Sequence, residues 1–348
     1  MKAVVLVGGE GTRLRPLTET IPKPLVPLMD RASLDHVLDH LARHGVHEVV
    51  LSSSYLEEPF HAFIQGRRGD PAITWITETE PLGTGGAIVN ALDDLGGDET
   101  FLALNGDILT DLDLTAMVAW HRERGATATI ALTHVEDARP FGLVPTEPDG
   151  RVTQFREKPS ELVPADINAG TYVLEVAALR GWPRGENVSI ERDVFPRLIA
   201  DGRRLYGFVS DAYWLDLGTP EQYLRAHADL IDGRVSGHPA YSAPFVQTDR
   251  VDPRAEIGGH VAIGPGVAVE AGADVRDSVL LVAASVEAFA VVHRSILGPR
   301  SSVGEGARIV DSVLGADATV GAGVSLHGAR VGSGEVIETT SSGDAEPM

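Results

Sequence analysis

The sequence predicts an α/β domain built on a mostly parallel sheet, followed by a left-handed parallel β-helix. Three observations carry this. Strand-like and helix-like segments alternate over residues 1–232, and aliphatic residues recur at six-residue steps over 250–338. A turn-rich stretch, "GRVSGHPAYSAP" (233–244), separates the two patterns within a linker at 233–249. The closing "TTSSGDAEPM" (339–348) reads as a disordered tail.

In the first part, "AVVLV" (3–7), "EVVLSS" (48–53), "AITWI" (72–76) and "TFLALN" (100–105) are short apolar runs of the buried-strand type. Between them, Leu34, Val37, Leu38 and Leu41 keep the spacing of an amphipathic helix. So do Leu56, Phe60, Phe63 and Ile64, and then Ala87, Ile88, Ala91 and Leu92. Such alternation implies a Rossmann-like sheet with helices on both faces, whose ligands bind outside the carboxyl ends of the strands. In the second part, Val251, Ile257, Ile263, Val269, Val275 and Leu281 fall six apart. "DSVLL", "RSILG" and "DSVLG" begin at Asp277, Arg294 and Asp311, a recurrence every 17 residues. That is the hexapeptide repeat of a β-helix with a triangular cross-section.

The 348 residues suit two cores, and 43% hydrophobic with 23% charged residues is ordinary for a globular chain. No apolar run approaches the roughly 18 residues a bilayer span needs. "KAVVLVGG" lacks the layout of a signal peptide, and cysteine is absent, so a cytoplasmic location is expected. A formal net charge of −21 argues against non-specific binding to nucleic acid or anionic membrane, so a polyanionic ligand requires a local basic patch. Lys occurs only at 2, 23 and 158, with Arg supplying the other basic residues. Lys23 and Lys158 both precede proline, which suggests compact charges held in rigid turns.

"LVGGEGTRLRPLTETIPKPL" (6–25) lies just after the first strand. Its spacing is neither that of a P-loop nor that of a dinucleotide fold. Gly8, Gly9 and Gly11 would let backbone N–H groups approach a phosphate or base, Arg13 could hold two phosphate oxygens, and Lys23 would add a point charge. "NGD" (105–107) ends a later strand at the same edge. As single residues, Asp107 reads equally as a turn residue and Asp216 as a helix cap before "GTPEQ".

"GGEGTRLRPLT", "PKPL", "EPLGTGGA" (80–87), "NGD", "EKP" (157–159), "INAGTYVLE" (167–175) and "YWLDLGTPEQYL" (213–224), in that order, resemble the sugar-nucleotide pyrophosphorylases. With the β-helix the resemblance covers nearly the whole chain. It implies that a sugar 1-phosphate attacks the α-phosphorus of a nucleoside triphosphate, releasing pyrophosphate, with Mg²⁺ held by Asp107 and Asp216. Arg13, Lys23, Asp107 and Asp216 would form the catalytic set. The nucleotide would meet Leu6, Gly8, Gly9, Gly11, Thr12, Arg13, Lys23, Pro81, Gly83, Thr84 and Asp107. Lys158 would hold the sugar's phosphate, while Gly142, Glu157, Asn168 and Thr171 would read its hydroxyls.

Within the family the motifs are most similar to mannose-1-phosphate guanylyltransferases, which implies GTP and α-mannose 1-phosphate. A glucose-1-phosphate thymidylyltransferase, a guanylyltransferase for a valienol-type cyclitol phosphate, and a non-catalytic regulatory paralogue binding NDP-sugar are the alternatives. The β-helix implies a homo-oligomer. After "PLVPL" the family commonly has a proline-containing turn, absent from "MDRASLDHVLDHL", so a local change is expected there. His36, His40 and His44 share a helical face and are expected to form a solvated stripe with no metal. No feature singles out His260, His293 or His327 as an acyltransferase histidine, and aromatic–basic interleaving of the nucleic-acid kind is missing.

Overall fold

The computed structural model describes residues 1–53, 56–96 and 99–338; the expected tail lies outside the described residues. Two compact units are present: Met1–Gly9 with Leu34–Asp216, and Glu10–Ser33 with Leu217–Met348. The segment from Glu10 to Ser33 therefore belongs with the carboxy-terminal half of the chain.

In the first unit, β1 (Lys2–Leu6) is flanked by β2 (Glu48–Ser53) and β4 (Thr100–Asn105), both parallel to it, with β3 (Ala72–Thr77) beyond β2. Helices α1 (Ser33–Arg43), α2 (Glu57–Gly66) and α3 (Gly83–Ala91) connect them, at the places their apolar spacing indicates. A short β5 (Ile108–Thr110) precedes α4 (Leu114–Glu123), whose Asp113 caps the Ala116 N–H. The sheet continues through β6 (Ala128–Val135), β7 (Gly142–Leu143), β8 (Arg156–Glu157), β9 (Ala165–Glu175) and β10 (Leu205–Val209). The long β9 runs antiparallel to β4 and β6, so the sheet is mixed on this side. Val4, Phe101, Ala103, Ile130, Tyr172 and Phe195 are buried together in its core.

The histidine stripe is a correction. His36 and His40 are buried, at 3% and 4% exposure, and border a narrow gap shared with Leu104, Asn105, Ile108 and Thr171. Polar spacing alone suggested a wet face; the sheet covers it. His44 keeps partial exposure and bonds Thr115 Oγ1 at 2.9 Å.

In the second unit, three parallel sheets stack coil upon coil, the arrangement of a left-handed β-helix. One sheet comprises Phe245–Val246, Ala262–Ile263, Val279–Leu280, Ile296–Leu297, Val313–Leu314 and Arg330–Val331. Ile263, Val269, Val275, Val286, Val292, Leu297, Val303, Ile309 and Leu314 fill the interior. Asp277, Arg294 and Asp311 take positive φ (47°, 46° and 50°) where each coil bends. The following serines form a buried ladder. The Ser295 N–H donates to Ser278 Oγ, the Ser312 N–H to Ser295 Oγ and the Ala329 N–H to Ser312 Oγ, at 3.0–3.1 Å. His260 and His293 hydrogen-bond Asp232 and Asp274, and His327 Nε2 lies 3.3 Å from Asp311 Oδ2. The proline-free turn after "PLVPL" is a tight hairpin between Pro27–Leu28 and Arg31–Ala32, with Met29 at φ 59°.

Candidate active site

The carboxyl edge of the sheet gathers the residues of the first unit. Leu6, the last residue of β1, lies between Ser52 and Asn105. Beyond it, Gly9 has φ 134°, a conformation L side chains rarely adopt. The Gly106 N–H donates to Leu6 O at 2.9 Å, and a Cβ on Gly106 would sit 2.9 Å from Val7 Cγ1. Only glycine lets the "NGD" turn fold this tightly onto the end of β1, and Asp107 follows immediately. A final strand, β11 (Trp214–Asp216), runs antiparallel to β5 and sets Asp216 opposite Ile108. Asp216, 109 positions after Asp107 and only 8% exposed, thus lies opposite the residue that follows Asp107. Among the described residues no group of three or more His, Cys, Asp or Glu is placed to hold a metal. Two carboxylates nevertheless suit a cation that takes one or two from protein and the rest from phosphates and water.

β11 is tied down on both sides. Thr110 Oγ1 donates to Tyr213 O at 2.7 Å, and Trp214 Nε1 donates to Ala169 O at 2.9 Å. The Trp214 ring meets Phe141 edge-on, with centroids 5.3 Å apart. Gly170 (φ 71°) interrupts the β9–β6 register, and a Cβ there would lie 2.7 Å from Asn105 Nδ2. Asn168, Thr171 and Asn105 therefore share one corner. Gly142 pairs with Glu157, and its missing Cβ leaves room for Phe155 and Glu157 Oε2. Lys158 has φ 50°, and its N–H donates to Phe141 O at 2.9 Å.

Glu157 titrates above the usual carboxylate range. Burial is the main cause, the Glu191 charge adds to it, and Lys158 and Arg192 oppose it.

The loop "EPLGTGGA" packs through its glycines against Val188. The Gly85 and Gly86 N–H groups donate to Val188 O, and a Cβ on Gly83 would meet that oxygen at 2.7 Å. Pro81 O accepts from Asn187 Nδ2 at 2.8 Å.

In the second unit, Gly11 adopts φ 59°, and a Cβ on it would lie 3.1 Å from Lys23 Cβ, so these two are adjacent. Thr12 and Arg13 form a single 3₁₀ turn, and Thr18 Oγ1 donates to Gly11 O at 2.8 Å. Lys23 opens a second turn, held by Ser33 Oγ donating to Pro24 O at 2.8 Å. A cleft of about 350 Å³ lined by Leu224, Arg225, His260, Arg294 and Asp311 contains none of the expected site residues.

Residues 2–233 match the family model described as Nucleotidyl transferase. The chain belongs to the nucleotidyl transferase family. Residues 244–344 of this nucleotidyltransferase match a second model, the GMPPB C-terminal domain. It is 41% identical to a mannose-1-phosphate guanylyltransferase of Mycobacterium tuberculosis, over 82% of this chain and 79% of that one. A mannose-1-phosphate guanyltransferase of Schizosaccharomyces pombe is 37% identical over 74% and 73%. Among solved structures, HddC from Yersinia pseudotuberculosis is 31% identical with a TM-score of 0.58, covering 65% of this chain and 97% of HddC. A second HddC structure, complexed with GMP-PN, has a TM-score of 0.57.

Sequence reasoning on this nucleotidyltransferase missed two acidic anchors. Glu191 accepts from Thr84 Oγ1 (2.7 Å), Ser189 Oγ (2.8 Å) and the Tyr172 hydroxyl (3.3 Å), and Asn168 Nδ2 donates to that hydroxyl at 2.8 Å. One carboxylate thus joins Thr84 to Asn168 by way of the Tyr172 hydroxyl. Glu78, 8% exposed, accepts from Ser52 Oγ and from the Leu82 N–H, fixing the entry to α3. Neither sits in a local pattern that marks it; only "INAGTYVLE" hinted at Tyr172.

Proposed function

We propose that this nucleotidyltransferase moves the guanylyl group of GTP onto α-mannose 1-phosphate, giving GDP-mannose and pyrophosphate with Mg²⁺ as cofactor. The observation that supports the reading is the β5–β11 ladder, which sets Asp216 opposite Ile108, the residue after Asp107, while the Gly106 N–H before Asp107 donates to the end of β1. Guanine and mannose rest on the names of the relatives given above.

A phosphate oxygen of the sugar 1-phosphate attacks the α-phosphorus in line; the bond to the β-phosphate oxygen breaks and pyrophosphate leaves. Little proton transfer is needed, so positioning and charge neutralisation dominate. Asp107 and Asp216 would hold the cation, which when bound offsets the phosphate charge. Lys158, at a fixed turn beside Phe141, orients the attacking phosphate. Glu157 and Asn168 receive the sugar hydroxyls, with Asn168 steadied through Tyr172 by Glu191. Gly83 and Thr84 present backbone and hydroxyl to base and ribose. Arg13 and Lys23 meet the triphosphate, Arg13 on the departing pyrophosphate and Lys23 at the α-phosphate. A cytoplasmic location and assembly into a homo-oligomer belong to the same reading and rest on the cysteine-free composition and the flat faces of the β-helix.

The test is pyrophosphate release with Mg²⁺, crossing GTP, dTTP, UTP, ATP and CTP against mannose, glucose and valienol 1-phosphates, beside Asp107→Ala. Release with GTP and mannose 1-phosphate, lost by at least about 100-fold in the variant, is expected. Preference for dTTP with glucose 1-phosphate would replace the substrate pair. Nucleotide binding without release from any pair would replace catalysis by a regulatory role.

A further inference from the structure

On one β-helix sheet, Ala262, Val279, Ile296, Val313 and Arg330 occupy the same position in five successive coils. Their neighbours Ile263, Leu280, Leu297, Leu314 and Val331 fill the interior, so this row looks outward. Outward positions on a β-helix ordinarily meet water. Here the first four are apolar and packed with Leu14, Leu17, Val26 and Tyr223. The fifth is Arg330, whose Nη1 donates to Arg13 O at 2.8 Å and to Arg15 O at 2.6 Å. Three residues on, the Ser333 N–H donates to Glu19 Oε2 at 3.1 Å. The row is thus a strip on which Leu14 and Leu17 are seated, and its charged end grips the carbonyls on either side of Leu14.

We propose that Arg330 is a positioning residue for nucleotidyl transfer: from the last coils of the β-helix it fixes the backbone at Arg13, so that the Arg13 guanidinium is aimed at the triphosphate. This rests on Arg13 being a phosphate ligand, as proposed above. Two carbonyls pointing to one place call for a donor with two N–H bonds on a nitrogen of fixed direction, which a guanidinium supplies. A backbone error of about 1 Å at a phosphate ligand is enough to cost up to about 100-fold in rate.

The experiment compares Arg330→Ala, Arg330→Lys, Arg13→Ala and the double variant Arg13→Ala/Arg330→Ala in the full chain, by steady-state kinetics and melting temperature. Arg330→Ala is expected to raise KM for GTP about tenfold and lower kcat about tenfold, leaving KM for mannose 1-phosphate within about twofold. Arg330→Lys keeps N–H donors and charge but not the fixed direction of a guanidinium nitrogen, so it is expected to recover GTP KM only in part, to about three- to fivefold above the wild type. On the Arg13→Ala background the second substitution is expected to change GTP KM less than about twofold, because both act through one guanidinium.

GTP KM and kcat unchanged in Arg330→Ala, equal shifts in both substrates' KM, or independent effects in the double variant would each overturn the proposal. Should Arg330→Ala not fold, Arg330→Met keeps the aliphatic stem and is measured instead, with the same expectations. Wild-type GTP kinetics in Arg13→Ala would sink the phosphate reading itself, whereas an impaired Arg13→Ala beside an intact Arg330→Ala sinks only this inference.

Discussion

Burial raises the Glu157 carboxyl above its ordinary range and the Glu191 charge adds to it, against the opposing charges of Lys158 and Arg192. In the proposed role an ionised Glu157 would accept a hydroxyl hydrogen bond from the sugar, and a protonated one would accept it more weakly. Because its folded-state titration lies above the usual carboxylate range, kcat/KM for mannose 1-phosphate should fall as pH drops through that raised value. Glu191→Gln removes the like charge and should move this acid limb to lower pH, while the sugar phosphate's own ionisation stays put. A limb that does not move would assign it to some other group. The same residue shows what local sequence hides. Glu191 matters because Thr84, 107 positions earlier, donates to it. The turn that carries Asp107, by contrast, was legible, because its glycine and its strand-ending asparagine sit beside it in the sequence.

At the scale of elements, the serine ladder turns a repeat into stability. Ser295 Oγ donates to His293 O and accepts from the Ser312 N–H, fully buried. Ser295→Ala leaves that N–H without its acceptor and should lower unfolding free energy by about 1–3 kcal/mol, measured by denaturant titration. An unchanged midpoint would mean the backbone relaxes to another acceptor. The strands and helices around Leu34–Leu41, Glu48–Ser53 and Thr100–Asn105 were legible because apolar periodicity and burial coincide there. The interior row of the β-helix was legible for the same reason. His36 and His40 were not, since a polar residue at a covered position breaks the correlation between hydropathy and burial on which such reading depends. The outward row was half legible: "VL" and "IL" pairs signal strands apolar on both faces, but not what covers the second face.

At the scale of the whole molecule, Glu10–Ser33 belongs with Leu217–Met348, so the break in sequence pattern near residue 233 is not where the compact units divide. A chain ending at residue 243 would lose Ala262, Val279, Ile296 and Val313 and bare Leu14, Leu17, Val26 and Tyr223. Each such side chain forfeits about 1.5–3 kcal/mol of burial. The shortened chain should aggregate on size-exclusion chromatography and release no pyrophosphate; a monomeric, active fragment would show that the segment holds itself in place. The stacked coils also act as a ruler. Each coil advances the β-helix by about 4.8 Å, the spacing between paired strands, and Leu14 and Leu17 fix where on that scale the loop is read. Removing one 17-residue period, residues 313–329, would leave the ladder in register, yet put the guanidinium at Val313's place, a full graduation from the carbonyls it holds. The number of coils is therefore a dimension of the loop that carries Arg13, and a homologue with one coil more or fewer would need its gripping residue written 17 places away.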